Sequence, residues 1–358
     1  MITIARDRQT SLYKLGSTLL LALICSLTAG ICWSGKSLVI LNWPDYLDPA
    51  LVSQFESENH IQIRQIFYNS DEERTERLLE TEGRGYDLML VAGIDLKAYI
   101  KHGWLRRLPL NALKNGHHID PYWHNRFPSA KGYAVPFSWG TLGIIYRTDL
   151  LSEPIISWQQ LFQPNEQLSG HIGMISTPRD LVGMGLKSLG YSANTENPLQ
   201  LEEARSLIKQ QAPHVKTYNY LSIKENSEIL GGNVYAAMMF NGDALKLQQF
   251  DSNLQFVLPV EGGNLWVDYL AIPVHAKEPT LATKFIDFIN RPEHASQQAS
   301  YSHFAPPHRA AIALLSEGFL EDERIFPHSS NFSNSEIYQH MSPETLKHRN
   351  ETVAQIRH

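Results

Sequence analysis

Short apolar runs alternate with polar, capped segments along the first part of the chain that follows the N-terminal segment. The runs lie at residues 38–42, 61–67 and 87–91, and they predict buried strands. Helices are predicted at 48–55, 70–79 and 96–103, the first with Pro49 in its first turn and the second capped by Ser70. Strands that alternate with helices predict an α/β fold with parallel neighbouring strands.

The alternation of predicted strands and helices resumes near residue 136 and continues to the end of the chain. Strands are predicted at 143–147, 172–175, 234–240 and 256–259, and helices at 157–162, 178–190, 201–211 and 281–289. A further helix starts at 292, residues 327–335 have the composition of a loop, and a last helix starts near 343. The chain has 358 residues, which is too long for one ordinary core, so two domains are expected.

The N-terminal segment, residues 1–34, has the pattern of a secretory signal peptide. Basic residues precede the apolar run 19–25, and the small residues 28–30 follow it. Cleavage removes three positive charges and one negative charge, which changes the net charge from −6 to about −8. An uncleaved membrane anchor is the alternative. A lipoprotein anchor at Cys32 is disfavoured because Ile31, which precedes it, is not small.

Residues 30–37 match the phosphate-binding pattern GxxxxGKS letter by letter. That loop must connect a strand to the helix whose N-terminus faces the phosphates. Here the pattern follows a signal-like segment and precedes a predicted strand, so we expect no nucleotide site.

Composition narrows the class of protein further. Hydrophobic residues make up 43% of the chain and charged residues 19%, values typical of a globular protein. The net charge of −6 gives no indication of nucleic-acid binding. The only cysteines, Cys25 and Cys32, lie in the signal-like segment, so the body has no disulfide framework, cysteine metal site or cysteine nucleophile.

Metal and catalytic motifs are sparse. The chain contains no GxSxG, HExxH or CxxC pattern. His117 and His118 lie in a Gly-His-His-Ile-Asp segment that is typical of a solvated turn, with a metal ligand as the alternative. Tyr218 and Tyr220 would share a strand face, as tyrosine ligands of ferric ions can, but two tyrosines alone do not define a site.

The most informative stretch is residues 262–273. A Gly-Gly turn precedes a short strand that Pro273 ends. Because side chains alternate along a strand, Trp266 and Asp268 point to one face and Val267 to the other. An indole beside a carboxylate suits an organic cation with apolar length. The alternative is a core tryptophan with an exposed aspartate.

Several segments resemble one family when they are taken in order. They are Leu41-Asn42-Trp43-Pro44-Asp45-Tyr46, Tyr86-Asp87-Leu88, Pro136-Phe137-Ser138-Trp139-Gly140, Ser188-Leu189-Gly190-Tyr191-Ser192 and Trp266-Val267-Asp268-Tyr269-Leu270-Ala271-Ile272-Pro273. Together they are similar to the periplasmic spermidine/putrescine-binding proteins of ABC importers. The resemblance implies a type II-like, two-domain periplasmic-binding-protein fold. Each domain would be a mixed sheet flanked by helices, with the ligand in the cleft between the domains.

The resemblance also implies domain boundaries and site residues. Residues 36–141 and 267–312 would form the N-terminal domain, and 142–266 and 313–358 the C-terminal domain. The matching site positions are the aromatic residues Trp43, Tyr46, Phe240, Trp266 and Phe304 and the acids Asp45, Asp180, Asp243 and Asp268.

Two positions depart from the pattern of the spermidine-binding branch. Ile94 stands where that branch has a tyrosine, and Thr177 stands where it has a second aspartate. Asp243 resembles an aspartate of the putrescine-binding branch. This combination predicts that a diamine binds at least as well as spermidine, because one carboxylate fewer is available for a third ammonium.

The energetic cost of burying a charge is consistent with an amine ligand. An ammonium is prohibitively costly to bury unless a carboxylate compensates it, and the methylenes between two ammoniums favour flat apolar walls. Together with the resemblance, this predicts a periplasmic monomer that closes on a di- or polyamine and delivers it to a membrane ABC permease, without catalysis or cofactor. Alternatives are a sensor that docks on a membrane receptor and, less favoured, a glycoside hydrolase with two cleft carboxyls.

Overall fold

The computed structural model of the protein describes residues 36–327 and 330–356. The predicted signal segment, and all but the last two residues of the GxxxxGKS match, lie outside the described residues. Ser37, the last residue of that match, begins a strand, and no helix follows it directly. The expectation that this pattern lacks the geometry of a phosphate loop therefore agrees with the fold.

Nine strands run through the described residues. They are β1 (Ser37–Asn42), β2 (Gln62–Phe67), β3 (Leu88–Ala92), β4 (Ala134–Arg147), β5 (Ile172–Gly173), β6 (Val215–Thr217), β7 (Ala236–Phe240), β8 (Leu254–Val257) and β9 (Leu265–Ala271).

The α-helices cover the sheet faces and fill the connections. They are α1 (Pro49–Asn59), α2 (Asp71–Thr81), α3 (Leu96–Lys101), α4 (Pro121–His124), α5 (Gln159–Phe162), α6 (Pro178–Ser188), α7 (Pro198–Gln211), α8 (Asn241–Gln248), α9 (Pro279–Ile289), α10 (Pro292–Ser302), α11 (Arg309–Ile312), α12 (Glu317–Leu320), α13 (Ser330–Ser333) and α14 (Pro343–Ala354). Short 3-10 helices span Leu110–Ala112, Gly116–His118, Pro128–Ala130 and Ala212–His214.

The strands form two mixed sheets that share β4. In the first sheet the order is β2-β1-β3-β9-β4, with β1 parallel to β2 and β3 and with β9 antiparallel to both of its neighbours. In the second sheet β4 pairs with β7 and β8 in antiparallel fashion, and β5 lies parallel to β6 and β7. The predicted α/β class is confirmed. We call the first sheet with its packed helices the first lobe, and the second sheet with its packed helices the second lobe.

Strand β4 connects the lobes because it changes partners along its length. Residues 134–141 pair with β9, and residues 142–147 pair with β7 and β8. All fourteen of its residues are buried, which fits a strand covered on both faces. The sequence predicted a strand only over 143–147, so the longer span is a finding of the structure.

Each lobe has its own apolar core, and local signals begin the helices that cover it. Asp48 caps α1 by accepting from the backbone N–H of Ala50, and Ser70 caps α2 by accepting from that of Glu73. In the first lobe Phe55 of α1 packs edge-on against Phe285 at 5.0 Å between ring centres. In the second lobe Trp158 is fully buried, and its indole N–H donates to the Gly262 carbonyl at 2.7 Å.

Two local predictions were wrong, and one helix was not predicted. Residues 241–248 form α8, for which the sequence analysis gave no helix. The strand expected at 172–175 is only Ile172–Gly173. Tyr218 and Tyr220 lie beyond the end of β6 and do not share a strand face.

The alternative of an N-terminal membrane anchor concerns residues outside the described part of the chain, and the described helices do not test it. Across residues 36–327 and 330–356, none of them has both the length and the apolar character that crossing a bilayer requires.

Candidate functional site

The carboxylate of Asp268 lies at the centre of the site. Strand β9 places it between β3 and β4, opposite Ala92 and Ser138. Its Oδ2 accepts a hydrogen bond from the Tyr46 hydroxyl at 2.9 Å, and that hydroxyl lies 2.5 Å from Ser138 Oγ. The side chain is buried, with 8% of its surface exposed.

Asp268 is a buried acid without a close cationic partner. Within the described part of the chain, no lysine, arginine or histidine forms an ion pair with it. Burial raises its pKa to about 7, and the nearby charge of Asp71 adds to the shift, while the Tyr46 hydrogen bond and Arg74 oppose it. The ionised carboxylate is therefore costly in this position, and an external cation would relieve that cost.

Aromatic rings surround this carboxylate. The Trp266 indole lies almost perpendicular to the Phe304 ring at 4.8 Å and to the Phe240 ring at 5.9 Å, and Tyr46 is 5.7 Å from Phe304. Gly140 of β4 lies directly under the indole, since a Cβ there would be 2.6 Å from the Trp266 ring. A glycine is needed at this point for the ring to cross the strand. The alternation predicted for Trp266 and Asp268 agrees with these contacts.

Two further carboxylates come from the second lobe. Asp180, in the first turn of α6, accepts from the Thr177 hydroxyl at 2.5 Å and from the Tyr338 hydroxyl at 3.1 Å. Asp243, in α8, accepts from the Tyr220 hydroxyl at 2.6 Å. Burial raises the pKa of both aspartates. Like Asp268, they are hydrogen-bonded to neutral hydroxyl groups and form no ion pair within the described residues.

Asp45 lies at the rim of the candidate site and contacts two lysines of the second lobe. Its backbone has φ 52°, a left-handed conformation, and its side chain is exposed. Lys224 Nζ is 3.0 Å from its Oδ2, and Lys246 Nζ donates to its carbonyl oxygen at 2.9 Å. This residue therefore forms a contact between the lobes, and its role as a ligand acid stays a prediction.

Trp43 connects the rim of the first lobe to a buried ion cluster. Its ring centre is 4.5 Å from that of Tyr68, and the Tyr68 hydroxyl accepts from Arg74 at 3.3 Å. Arg74 is fully buried and lies 2.6 Å from both Asp71 and Asp95.

Arg179 of the second lobe completes this cluster. Its guanidinium lies 3.0 Å from Asp95 and 3.6 Å from Asp71, which both belong to the first lobe. We define the charge cluster as Asp71, Arg74, Asp95 and Arg179. None of these four residues is among the site residues named from the sequence.

The structure brings most of the predicted residues into one connected region. Tyr46, Asp268, Trp266, Phe304 and Phe240 are joined by ring contacts and hydrogen bonds, and Asp243 joins them through Tyr220. Asp45 precedes Tyr46 in the chain, and Trp43 packs against the same core as Tyr46, whereas Asp180 contacts Thr177 and Tyr338. Ser138 lies in one of the segments that carry the family resemblance, but it was not named as a site residue. The other residues that the sequence did not indicate carry no motif of their own: Tyr68, Arg74, Arg179, Lys224, Lys246 and Tyr338.

Metal binding finds no support in the described residues, which contain no cluster of three or more histidine, cysteine, aspartate or glutamate side chains suited to an ion. His117 and His118 form a 3-10 turn in which His117 Nδ1 lies 2.8 Å from the Lys114 carbonyl oxygen. The hydroxyl of Tyr220 donates a hydrogen bond to Asp243, as described above.

A cavity of about 930 Å³ lies at the other end of the first sheet. Ser37, Gln62 and Asp87 line it, at the amino ends of the strands. The candidate site instead follows the carboxyl ends of β1 and β3, which is where open α/β sheets bind their ligands.

Comparisons with known proteins agree on one family. A sequence profile described as bacterial extracellular solute-binding protein matches residues 50–327. The chain is 31% identical over 317 residues to the spermidine/putrescine-binding periplasmic protein of Salmonella typhimurium, which covers 88% of this chain and 90% of that protein. It is 24% identical over 330 residues to a norspermidine sensor of Vibrio cholerae, which covers 91% of this chain and 90% of the sensor.

Solved structures give the same result. A protein from Listeria monocytogenes, provisionally described as a spermidine/putrescine ABC transporter, superposes with a TM-score of 0.82 at 31% identity. The superposition covers 90% of this chain and 99% of that one. The two-domain fold expected from the sequence is confirmed, and the chain belongs to the bacterial extracellular solute-binding proteins.

Proposed function

We propose that this protein captures a di- or polyamine in the periplasm, in the cleft between its lobes, and delivers it to an ABC importer. The observation that carries the proposal is Asp268, a buried carboxylate with a raised pKa and no ion-pair partner in the described residues. An ammonium group of the ligand supplies the missing positive charge.

The walls of the site suit the rest of such a ligand. Trp266 offers an aromatic face beside the carboxylate, and Phe240, Phe304, Tyr46 and, further out, Trp43 extend the apolar lining. Methylene groups gain from burial against these rings, and an ammonium over an indole gains a further ~0.5–2 kcal/mol. Asp180 and Asp243 are the candidates for the second ammonium.

Closure occurs by hinge motion of the lobes about their shared strands. We place the domain division after residue 141 and at the start of β9, close to the predicted boundary after residue 266. The change of partner along β4 supports the first division. The contact between the Leu142 N–H and the Asn264 carbonyl oxygen, at 2.9 Å, supports a hinge where the two crossovers lie side by side.

The relatives support an amine ligand and a membrane partner. The Salmonella typhimurium relative is named for spermidine and putrescine and for the periplasm. The Vibrio cholerae relative, a norspermidine sensor, supports a second candidate output in which the closed form docks on a membrane receptor. Amine uptake by cells that lack the gene distinguishes the two: it falls for an importer component and is unchanged for a sensor.

Titration of the mature chain with putrescine and spermidine, followed by tryptophan fluorescence, tests the proposal directly. We expect saturable binding without chemical change of the amine, since we assign no catalytic step to this site. Absence of binding to any di- or polyamine would overturn the proposed function. Release of sugar from a glycoside would support the hydrolase alternative instead.

The Trp266 side chain provides a graded test of the aromatic wall. We expect Trp266→Leu to preserve the fold and weaken putrescine binding by about 1–2 kcal/mol, because the cation loses the ring face. Trp266→Phe should lose less, since it keeps a smaller ring. Calorimetric titration measures both variants, and equal losses for leucine and phenylalanine would argue against a stacking role.

Amine affinity should depend on pH through Asp268. Its pKa of about 7 in the free protein means that the carboxyl is protonated at lower pH, and it must lose this proton to pair with an ammonium. We expect affinity to fall about tenfold per pH unit below pH 7 and to level off above it. Calorimetry in buffers of different ionisation enthalpy should detect proton release at pH 6. A flat profile from pH 5 to 8 would contradict this assignment.

A further inference from the structure

Ser138 of β4 faces the candidate site because of an irregularity in the strand pairing. The register between β4 and β9 shifts between Pro136 and Ser138, so Phe137 is an extra residue and Ser138 lies opposite Asp268. A bulge of this kind re-aims side chains that would otherwise alternate between the faces of the sheet. Phe137 packs edge-on against the Tyr46 ring at 5.7 Å, and the Ser138 hydroxyl lies 2.5 Å from that of Tyr46. Two consecutive residues of β4 therefore hold Tyr46 in place.

The side chains of Ser138, Tyr46 and Asp268 form a hydrogen-bonded chain whose direction is fixed when Asp268 is ionised. A carboxylate has no hydrogen to give, so the Tyr46 hydroxyl donates its single hydrogen to Asp268 Oδ2, at 2.9 Å. Tyr46 then has only acceptor capacity left for Ser138, and the Ser138 hydroxyl donates to it. Because each donor polarises the next, this chain favours the ionised carboxylate more than the Tyr46 bond does alone.

The same chain leaves one carboxylate oxygen for the ligand. Tyr46, Ser138 and Asp268 are all buried, with 7%, 4% and 8% of their surfaces exposed. Among the described residues, Asp268 Oδ2 accepts from Tyr46, and Oδ1 accepts from no side chain or backbone group. An ammonium that enters the cleft can therefore meet Oδ1 while Oδ2 stays fixed.

Other groups also influence the charge of Asp268, but only Tyr46 is hydrogen-bonded to Ser138. The charged and titratable groups that act on Asp268 come from α2 and from the segments after β1, β2 and β3: Tyr46, Tyr68, Asp71, Arg74 and Asp95. In the described part of the chain, the Ser138 hydroxyl bonds to Tyr46 alone. A change at Ser138 therefore leaves those charges in place and acts on the hydroxyl chain.

We propose that Ser138 is a positioning residue for amine capture, which acts through the Tyr46 hydroxyl to hold Asp268 ionised with one oxygen free for the ligand. This inference rests on the proposed amine-binding function and adds a residue to that same site. Ser138 does not meet the amine itself, since Tyr46 lies between it and Asp268.

The contribution of Ser138 to affinity should depend on pH. At a pH where free Asp268 is protonated, amine binding must expel that proton, and the hydroxyl chain favours the ionised product. At higher pH the carboxylate is ionised before the ligand arrives, so the chain stabilises the free and the bound protein alike. Loss of the Ser138 hydroxyl should therefore weaken binding at low pH and have little effect at high pH.

Calorimetric titration of the mature chain with putrescine, at pH 6 and at pH 8.5, tests the inference. Ser138→Ala removes the hydroxyl, and Ser138→Thr keeps it. Ser138→Ala is also combined with Tyr46→Phe, which removes the link to Asp268. Ser227→Ala is the matched control, because Ser227 is also buried and its hydroxyl has no hydrogen-bond partner in the described residues.

We expect Ser138→Ala to weaken putrescine binding at pH 6 by about threefold to tenfold, the range that one net hydrogen bond supplies. At pH 8.5 the same variant should bind almost as tightly as the wild type. Ser138→Thr should restore the wild-type profile, and Ser227→Ala should not alter it. In the Tyr46→Phe protein, Ser138→Ala should have little further effect, since it acts through that hydroxyl.

An equal loss at both pH values would overturn the inference, because a loosened site loses affinity at every pH. Unchanged affinity of Ser138→Ala at pH 6, or an additive loss in the double variant, would overturn it as well, and each of these results leaves the proposed function standing. If Ser138→Ala does not fold, Ser138→Cys takes its place, since a thiol is only a weak donor. Absence of amine binding by the wild type overturns both the inference and the proposed function.

Discussion

Asp268→Asn is expected to weaken putrescine binding by roughly 3–5 kcal/mol, which is at least a hundredfold in Kd. The buried ammonium would lose its counter-charge, while the asparagine could still accept the Tyr46 hydrogen bond that the carboxylate accepts at 2.9 Å. Calorimetric titration of the mature chain at pH 8 measures the effect. Unchanged affinity would remove Asp268 from the binding site.

The same substitution should not weaken the unliganded fold. Because burial raises the pKa of Asp268 from its ordinary value to about 7, the ionised form opposes folding above pH 7, and this opposition fades as the pH falls towards 4. A neutral asparagine avoids that cost at every pH. We expect the variant to be at least as stable as the wild type at pH 8. Asp149→Asn is the control for amine binding and should leave the affinity unchanged. Asp149 is exposed, lies beyond the end of β4 and pairs with Arg147.

Arg74→Met is expected to lower the free energy of unfolding by about 3–5 kcal/mol, because it leaves Asp71 and Asp95 without their buried partner. Arg74 also donates to the hydroxyls of Tyr68 and Tyr99, at 3.3 and 3.1 Å. Urea unfolding of the mature chain measures the loss.

Arg77→Met on the same helix is the matched control for that experiment. Arg77 forms a half-exposed pair with Glu73 one turn away, at 2.6 Å, and such pairs contribute at most about 1 kcal/mol. If both variants lose the same free energy of unfolding, the buried position of the charge cluster does not add to stability, and the argument for Arg74 is wrong.

Periodicity was enough to predict the fold in outline, because both strands and helices here have clear local signals. The helices α1 and α2 begin at the capping residues that the sequence indicated, and β1 to β3 lie within a residue or two of their predicted bounds. The short helix α8 was missed because its apolar residues follow a polar, glycine-containing start. Tertiary packing of Ala244, Leu245 and Leu247 stabilises it.

The centre of the site was predictable for a geometric reason. Alternation along β9 put Trp266 and Asp268 on one face, and the carboxyl end of β1 placed Tyr46 nearby, although 222 residues separate Tyr46 from Asp268. The charge cluster was not predictable in this way. Arg74 resembles an ordinary helix residue beside Asp71, and Arg179 meets Asp95 over a separation of 84 residues that no local pattern records.

The place of β9 in the first sheet has a consequence for biogenesis. This strand lies between β3 and β4, yet it follows every strand of the second sheet in the chain. During synthesis or translocation from the N-terminus, β1, β2 and β3 therefore emerge long before the strand that joins them to β4. The first sheet can close only after residue 271 has been delivered, so most of the chain must cross a translocation pore before this half of the protein reaches its native state.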